Sequence, residues 1–267
     1  MPEQANTSRF GKLNTFDLKV IGIILMVVDH FHEMFASFGA PAWIDWFGRP
    51  VATIFFFTSV IGFSHTHSKK TYMLRLYISM VIMTLLMNAT QRIIGFDEVQ
   101  LMNNIFRDLF VGTLFMASID QFAAMKNGQA VKHCLLGILI FAIPFIFTLI
   151  MIPLLSIDVT GFANQMILLF ASAFSPAIIL AENGLMILLI PVMYIFRNIR
   201  WAQMLSIAVV ALLYGLSGST QWIMIFAIIP LLLYNGEKGR GMKYFFYIFY
   251  PAHIIILYLI AAGIRFL

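Results

Sequence analysis

The run CLLGILIFAIPFIFTLIMI, residues 134–152, decides the fold, because its nineteen residues carry no charge and are long enough to cross a bilayer as a helix. The rest of the chain has the same character. Of its 267 residues 61% are hydrophobic and 11% are charged, and the mean hydropathy is +0.91. A soluble domain is about half apolar and about a quarter charged. Because a bilayer requires every backbone polar group to be paired within the protein, and because no alternating strand pattern is present, we expect an all-α, polytopic transmembrane helix bundle.

Apolar windows bounded by charged or turn residues predict about nine membrane spans. They cover residues 18–38, 51–64, 72–89, 105–123, 134–155, 184–196, 204–216, 221–234 and 244–262. Lys and Arg occupy alternate loops between these windows, and by the positive-inside rule those loops are cytoplasmic. The pattern predicts one domain over 1–267, with a short cytoplasmic N-terminal segment at 1–17 and the C-terminus outside.

One further apolar segment, residues 162–180, decides the span count. If it crossed the membrane, the basic clusters at 197–200 and 238–243 would both face outward. Ser175 and Pro176 interrupt the segment, and proline ends or kinks a helix. We therefore predict a re-entrant or interfacial element here.

Ionisable residues stand inside two of the predicted spans. Asp29 and His30 lie in the first, and His253 lies in the last, about 14 Å from its cytoplasmic start. Such groups are costly in a bilayer unless they face a protein interior, so the three residues indicate one shared functional site. Glu33 is one helical turn from His30 and Asp29 is adjacent to it, so either carboxylate is a candidate to orient the ring of a general base.

Further polar residues collect toward the predicted outer leaflet. Arg49 opens the second span, where it is a candidate to bind an oxyanion or the acceptor. The candidates for substrate binding are Asn104, Arg107, Asp108 and Glu182. For Glu33, Arg92 and Asp108 the simpler explanation is that the charges pair with one another at the membrane edge.

The predicted cytoplasmic loops carry candidate cofactor-binding residues. Cations there are suited to hold the phosphates of a nucleotide cofactor, although topology alone would also place them there. They are Lys69, Lys70, Arg75, Lys238, Arg240 and Lys243. We predict no metal site, since His65 and His67 lack further ligands nearby, and no nucleic-acid binding, since the positive charge follows membrane topology.

Four sequence features together resemble the TraX family. They are Asp29-His30 closing the first span, Gly48-Arg49 opening the second, Tyr72-x-x-Arg75-Leu76 after it, and Tyr234-Asn235-Gly236 with the later Phe249-Tyr250-Pro251-x-His253. The resemblance implies a bacterial inner-membrane acetyltransferase that uses acetyl-CoA; the type member of the family acetylates the amino terminus of F-pilin. It also implies that Asp29-His30, Gly48-Arg49 and His253 belong to the active site.

We therefore expect acetyl transfer from cytoplasmic acetyl-CoA to an amine or hydroxyl acceptor, a pilin N-terminus or a glycan, at the outer face. In this hypothesis His30 is the base, and His253 is a reserve base or a relay. The alternative is a transporter that uses the same buried histidines and carboxylates for proton relay or substrate binding.

Overall fold

The computed structural model describes residues 11–157 and 160–266, and the regular elements within those ranges are all helical. The α-helices are α1 Thr15–Phe35, α2 Val51–His65, α3 Lys69–Ile94, α4 Ile105–Ala124, α5 Ala130–Leu155, α6 Phe162–Phe174, α7 Leu189–Ile195, α8 Arg200–Leu216, α9 Ile228–Leu232 and α10 Lys243–Phe266. Short 3-10 helices extend or join them, among them Ala42–Phe47, Ile178–Leu180, Gly184–Leu188 and Thr220–Ala227. The predicted all-α class is confirmed for these ranges. Residues 1–10 of the predicted N-terminal segment lie outside them.

Five helical stretches in the described ranges are long and apolar enough to cross a membrane. They are Thr15–Phe38, Ala42–His65, Lys69–Ile94, Ala130–Leu155 and Tyr244–Phe266. The other predicted spans coincide with α4, which holds three charged residues, and with the shorter stretches Gly184–Ile195, Arg200–Leu216 and Thr220–Leu232. The chain therefore has the helices of a membrane protein, and the count of nine spans stays a prediction.

The segment at 162–180 contains a helix that ends early. α6 has 13 residues, a length of about 20 Å, which is short of the roughly 30 Å hydrocarbon core. Ser175 after it has an extended backbone, as expected for a residue before proline, and the chain continues into a 3-10 helix, Ile178–Leu180. The interruption predicted at Ser175 and Pro176 is confirmed, and whether this segment enters the membrane stays a prediction.

The described chain forms two compact units, and the first comprises residues 11–62, 94–100 and 196–266. In this unit α1 packs against α10 and against the 3-10 helix Ala42–Phe47. Asn14 caps α1, accepting hydrogen bonds from the amides of Phe16 and Asp17, while Asp17 accepts one from the amide of Asn14. This cap fixes where α1 begins and so which of its side chains face α10.

The second unit comprises residues 63–93, 101–157 and 160–195. Here α4 packs along α5 and also contacts α7. The hydroxyl of Ser118 donates a hydrogen bond of 2.8 Å to the carbonyl of Gly137, where the absence of a side chain brings α5 close to α4. The single domain over 1–267 stays a prediction.

Candidate functional site

The first unit brings His30 of α1 and His253 of α10 into direct contact. Nδ1 of His30 lies 2.7 Å from Nε2 of His253, a distance at which the two rings share a hydrogen bond. Both residues are buried, with 2% and 7% of their surface exposed. The proximity predicted from their positions in the first and last spans is confirmed.

Hydrogen bonding fixes which ring nitrogens carry protons in the neutral pair. Nδ1 of His253 lies 2.9 Å from the carbonyl oxygen of Phe249, which can only accept, so this nitrogen donates. Nε2 of His253 is then the acceptor, and Nδ1 of His30 donates to it. The lone pair of the dyad is thereby placed on Nε2 of His30, which has the form of a general base.

Aromatic rings hold the two imidazoles in place. His253 stacks on Phe249 with ring centres 5.1 Å apart, and it stacks on His30 with ring centres 4.9 Å apart. Tyr250 meets both imidazoles at steeper angles. Because the rings are packed on several sides, the direction of the His30 lone pair is determined by the fold.

The carboxylates beside His30 are placed differently from the sequence-based hypothesis. An oxygen of Glu33 lies 4.0 Å from Nε2 of His30, which is beyond hydrogen-bonding distance, so His253 rather than Glu33 orients the ring. Glu33 instead stands where it would stabilise the ring once Nε2 has taken a proton. The other candidate orienter, Asp29, points toward Gly48.

Arg49 belongs to a polar cluster with partners that the sequence analysis did not single out. Its guanidinium forms an ion pair with Asp45 and donates a 3.4 Å hydrogen bond to the side chain of Gln221. The Gln221 amide in turn donates to the Arg49 carbonyl at 3.2 Å. Asp45 stands four residues before Arg49, the helical spacing of an ion pair, which was a usable signal; nothing in the sequence indicated Gln221. To bind an oxyanion, the Arg49 guanidinium would have to release the carboxylate of Asp45 and bind the oxyanion in its place.

Gly48 explains the first half of the Gly-Arg motif. A Cβ built at Gly48 would overlap the carboxylate of Asp29, although its φ of −72° is accessible to any residue. The close approach of the Asp29 side chain, and not the backbone conformation, is therefore what favours glycine at position 48.

Gly48→Ala is expected to lower the melting temperature of the purified protein, because the new methyl group must displace Asp29, at a cost of about 1–3 kcal/mol. Combining it with Asp29→Ala removes the carboxylate and is expected to recover most of that loss, as a double-mutant cycle would show. Gly263→Ala is the control, because a Cβ at Gly263 of α10 meets open space and needs no change of backbone conformation. Additive losses in the Gly48 and Asp29 variants would contradict this explanation.

The four predicted substrate-binding residues are brought together in the second unit, where they form an internal network. Asp108 is fully buried and accepts hydrogen bonds from the amides of Glu182 and Asn183 and from the Asn183 side chain. A Glu182 oxygen accepts from the amide of Asn104 at 2.8 Å. These contacts bind the chain at 182–183 to the start of α4.

Arg107 and Asn104 extend this network. Arg107 donates to the carbonyls of Leu180 and Ser172, at 2.7 and 2.8 Å, and to the hydroxyl of Thr84. Asn104 caps α4 and donates from its side chain to Thr84 and to the Met80 carbonyl. Because these polar groups are directed at the protein's own backbone, the arrangement favours a structural role over the predicted substrate binding.

The predicted cofactor-binding residues have mixed surroundings. Lys69, Lys70 and Arg75 lie in α3 and not in the predicted loop. The helix begins at Lys69 because the Ser68 hydroxyl caps it by accepting from the amide of Thr71. Lys69 forms an ion pair of 2.6 Å with Asp120 and also contacts the Tyr194 hydroxyl, so it is already engaged. Of the six candidates, Lys70, Arg75, Lys238 and Arg240 have exposed side chains. The side chain of Lys243 lies outside the described part of the structure.

No three His, Cys, Asp or Glu side chains within the described residues are arranged to hold a metal ion. Comparison with curated proteins and with solved structures found no match. A family model described as TraX protein matches residues 15–261, which is nearly the whole chain and includes His30, Arg49 and His253. The chain therefore belongs to the TraX family.

Proposed function

We propose that this chain is an integral membrane acetyltransferase that moves an acetyl group from acetyl-CoA to an amine or hydroxyl acceptor. The observation that carries the proposal is the buried His30–His253 pair, whose hydrogen bonds leave one imidazole lone pair directed away from the pair. A positioned imidazole of this kind is the usual general base of acyl transfer. Membership of the TraX family supports the same reaction.

The proposed reaction has a balanced course. Nε2 of His30 takes the proton of the acceptor as the acceptor nitrogen or oxygen attacks the thioester carbonyl. The carbon–sulfur bond then breaks, and the proton passes to the sulfur of CoA. Glu33, 4.0 Å from Nε2, stabilises His30 while it is protonated, and His253 keeps the ring aligned.

The proposal includes a direction across the membrane. We place acetyl-CoA on the cytoplasmic side of the bacterial inner membrane and the acceptor on the outer side, with the N-terminus inside, nine spans and a re-entrant segment near 162–180. A pilin N-terminus or a glycan is a candidate acceptor. Lys238 and Arg240, exposed and in the same unit as His30, would hold the phosphates of CoA.

The test of the reaction is transfer of labelled acetyl groups. Membranes that contain the protein, incubated with labelled acetyl-CoA, are expected to yield labelled acceptor, and membranes with the double variant of His30 and His253 are expected not to. CoA is also expected to raise the melting temperature of the purified protein, since it binds the folded state. Absence of both effects, together with proton-coupled uptake of a solute by vesicles, would favour the transporter hypothesis.

Lys238→Gln with Arg240→Gln is expected to raise the KM for acetyl-CoA by about 5-fold and to leave kcat unchanged, because two exposed charge contacts are worth about 0.2–1 kcal/mol each. The effect should shrink at high salt, which screens such contacts. Lys126→Gln, which removes another exposed charge, is the matched control and should leave KM unchanged. An unchanged KM in the double variant would place the cofactor elsewhere.

A further inference from the structure

The first unit contains an open, apolar cavity of about 660 Å³. All thirteen residues that line it are aliphatic, aromatic or proline, and Trp43, Trp46 and Phe226 supply much of the aromatic surface. Side chains of the two tryptophans are about half exposed. A cavity of this size is within the usual range for a small-molecule site, but it has none of the polar groups that would orient a soluble ligand.

Residues that line the cavity lie next to Arg49 in the chain and one helical turn from Asp29. Phe47 and Pro50 line it, and between them in the chain lie Gly48 and Arg49. On α1 the lining residues Ile21 and Leu25 share a helical face with Asp29, since the three are four residues apart. An apolar ligand in this cavity therefore has Asp29 and Arg49 at one end.

The dimensions favour a slender occupant. A helix with its side chains is about 10–12 Å across, so 660 Å³ would hold less than about two turns of one. A hydrocarbon chain fits such a space, and the membrane around the protein supplies molecules that carry one. The polar cluster at the end, Asp29, Asp45 and Arg49, has one more carboxylate than guanidinium, which suits a cationic head group and not an anionic one.

We propose that the acceptor is a single-chain or multi-chain lipid with a primary amine in its head group, whose hydrocarbon chain occupies this cavity. The inference rests on the proposed function. The bound ammonium first releases one proton to water, and the amine then gives a second proton to His30 as its nitrogen attacks the thioester carbonyl. The carbon–sulfur bond breaks and this second proton ends on the sulfur of CoA, so each turnover releases one proton. In this proposal the cavity recognises the substrate by binding the hydrocarbon chain of the lipid, and the head-group amine is the nucleophile.

The test is photocrosslinking with a long-chain alkylamine that carries a diazirine near the end of its chain. Labelling is expected in peptides around residues 21–25, 43–50 and 223–233, well above the labelling of the exposed apolar face of α5. Leu25→Trp fills the cavity and is expected to reduce this labelling by about 10-fold, the effect of losing roughly two buried methylene contacts. Ile24→Trp is the matched control, since Ile24 is the next residue, is exposed and does not line the cavity.

The outcomes separate this inference from the proposed function. Labelling spread evenly over the apolar surface, or equal in wild type and Leu25→Trp, would overturn the lipid site even if acetyl transfer is detected. Displacement of the probe by a hydrophobic peptide and not by other lipid amines would assign the cavity to a protein segment and also overturn it. In the activity assay, the Leu25→Trp variant should lose acetyl transfer to long alkylamines and keep acetyl transfer to ethanolamine. Specific labelling of the cavity without any acetyl transfer would support the lipid site and contradict the proposed acetyltransferase reaction.

Discussion

Replacing His30 with alanine is expected to lower kcat/KM for acetyl transfer by about 10²- to 10⁴-fold, the contribution of a positioned general base. The protein should still insert and fold, because the imidazole is held by one ring partner and by stacking and not by a wider polar network. The measurement is the initial rate of labelled acetyl transfer at fixed protein in the membrane. Undiminished transfer in this variant would remove His30 from the mechanism.

His253 should behave as a positioning residue, and its variants should be graded. Gln places an amide oxygen where Nε2 of His253 accepts from His30, so His253→Gln is expected to keep more activity than His253→Ala. His32→Gln, two residues from His30 on the same helix, is the control and should leave the rate unchanged. Equal activity in both His253 variants would mean that the hydrogen bond between the rings has no part in catalysis.

Asp108→Ala is expected to lower the free energy of unfolding by about 3–5 kcal/mol, the largest stability loss that we predict. Its fully buried carboxylate accepts three hydrogen bonds, and its removal leaves the backbone amides of Glu182 and Asn183 and the side-chain amide of Asn183 without their acceptor. The measurement is the melting temperature in detergent, followed by scattering or tryptophan fluorescence.

Two further variants distinguish a structural Asp108 from a substrate ligand. Asp97→Ala removes an exposed carboxylate and should leave the melting temperature unchanged. Asp108→Asn keeps the shape and one acceptor oxygen, and it should fall between wild type and Asp108→Ala. A normal melting temperature in Asp108→Ala with a raised KM for the acceptor would restore the substrate-binding prediction.

Hydropathy predicted the helices well because burial in lipid is a property of the local sequence. The windows at 18–38, 51–64 and 134–155 end within a few residues of α1, α2 and α5. The shorter stretches at Gly184–Ile195 and Thr220–Leu232 are apolar but begin as 3-10 helices, and apolar composition does not reveal that difference. Charge alone predicts a loop for Lys69 and Lys70, but the Ser68 hydroxyl caps α3 and so sets the helix boundary just before them.

The sequence predicts those site residues that are costly to bury in a membrane. It does not predict the partners that tertiary contacts bring to them. His30 and His253 stand out in apolar helices, so their pairing could be inferred from the sequence. The partners of Arg49 include Gln221, 172 residues away, and the network of Asp108 includes Asn183, 75 residues away. Contacts over such separations leave no periodic signal in a single sequence.

The alternating donors and acceptors that end at the Phe249 carbonyl give the imidazole pair two interchangeable forms. When a proton arrives at Nε2 of His30, the proton on its Nδ1 can move to Nε2 of His253, and the positive charge moves to that ring with it. His30 is then neutral again, with its proton on Nε2 instead of Nδ1. The same pair that withdraws a proton from the nucleophile is therefore prepared to return it to the leaving thiolate, and one turnover restores the starting tautomers with no outside proton source.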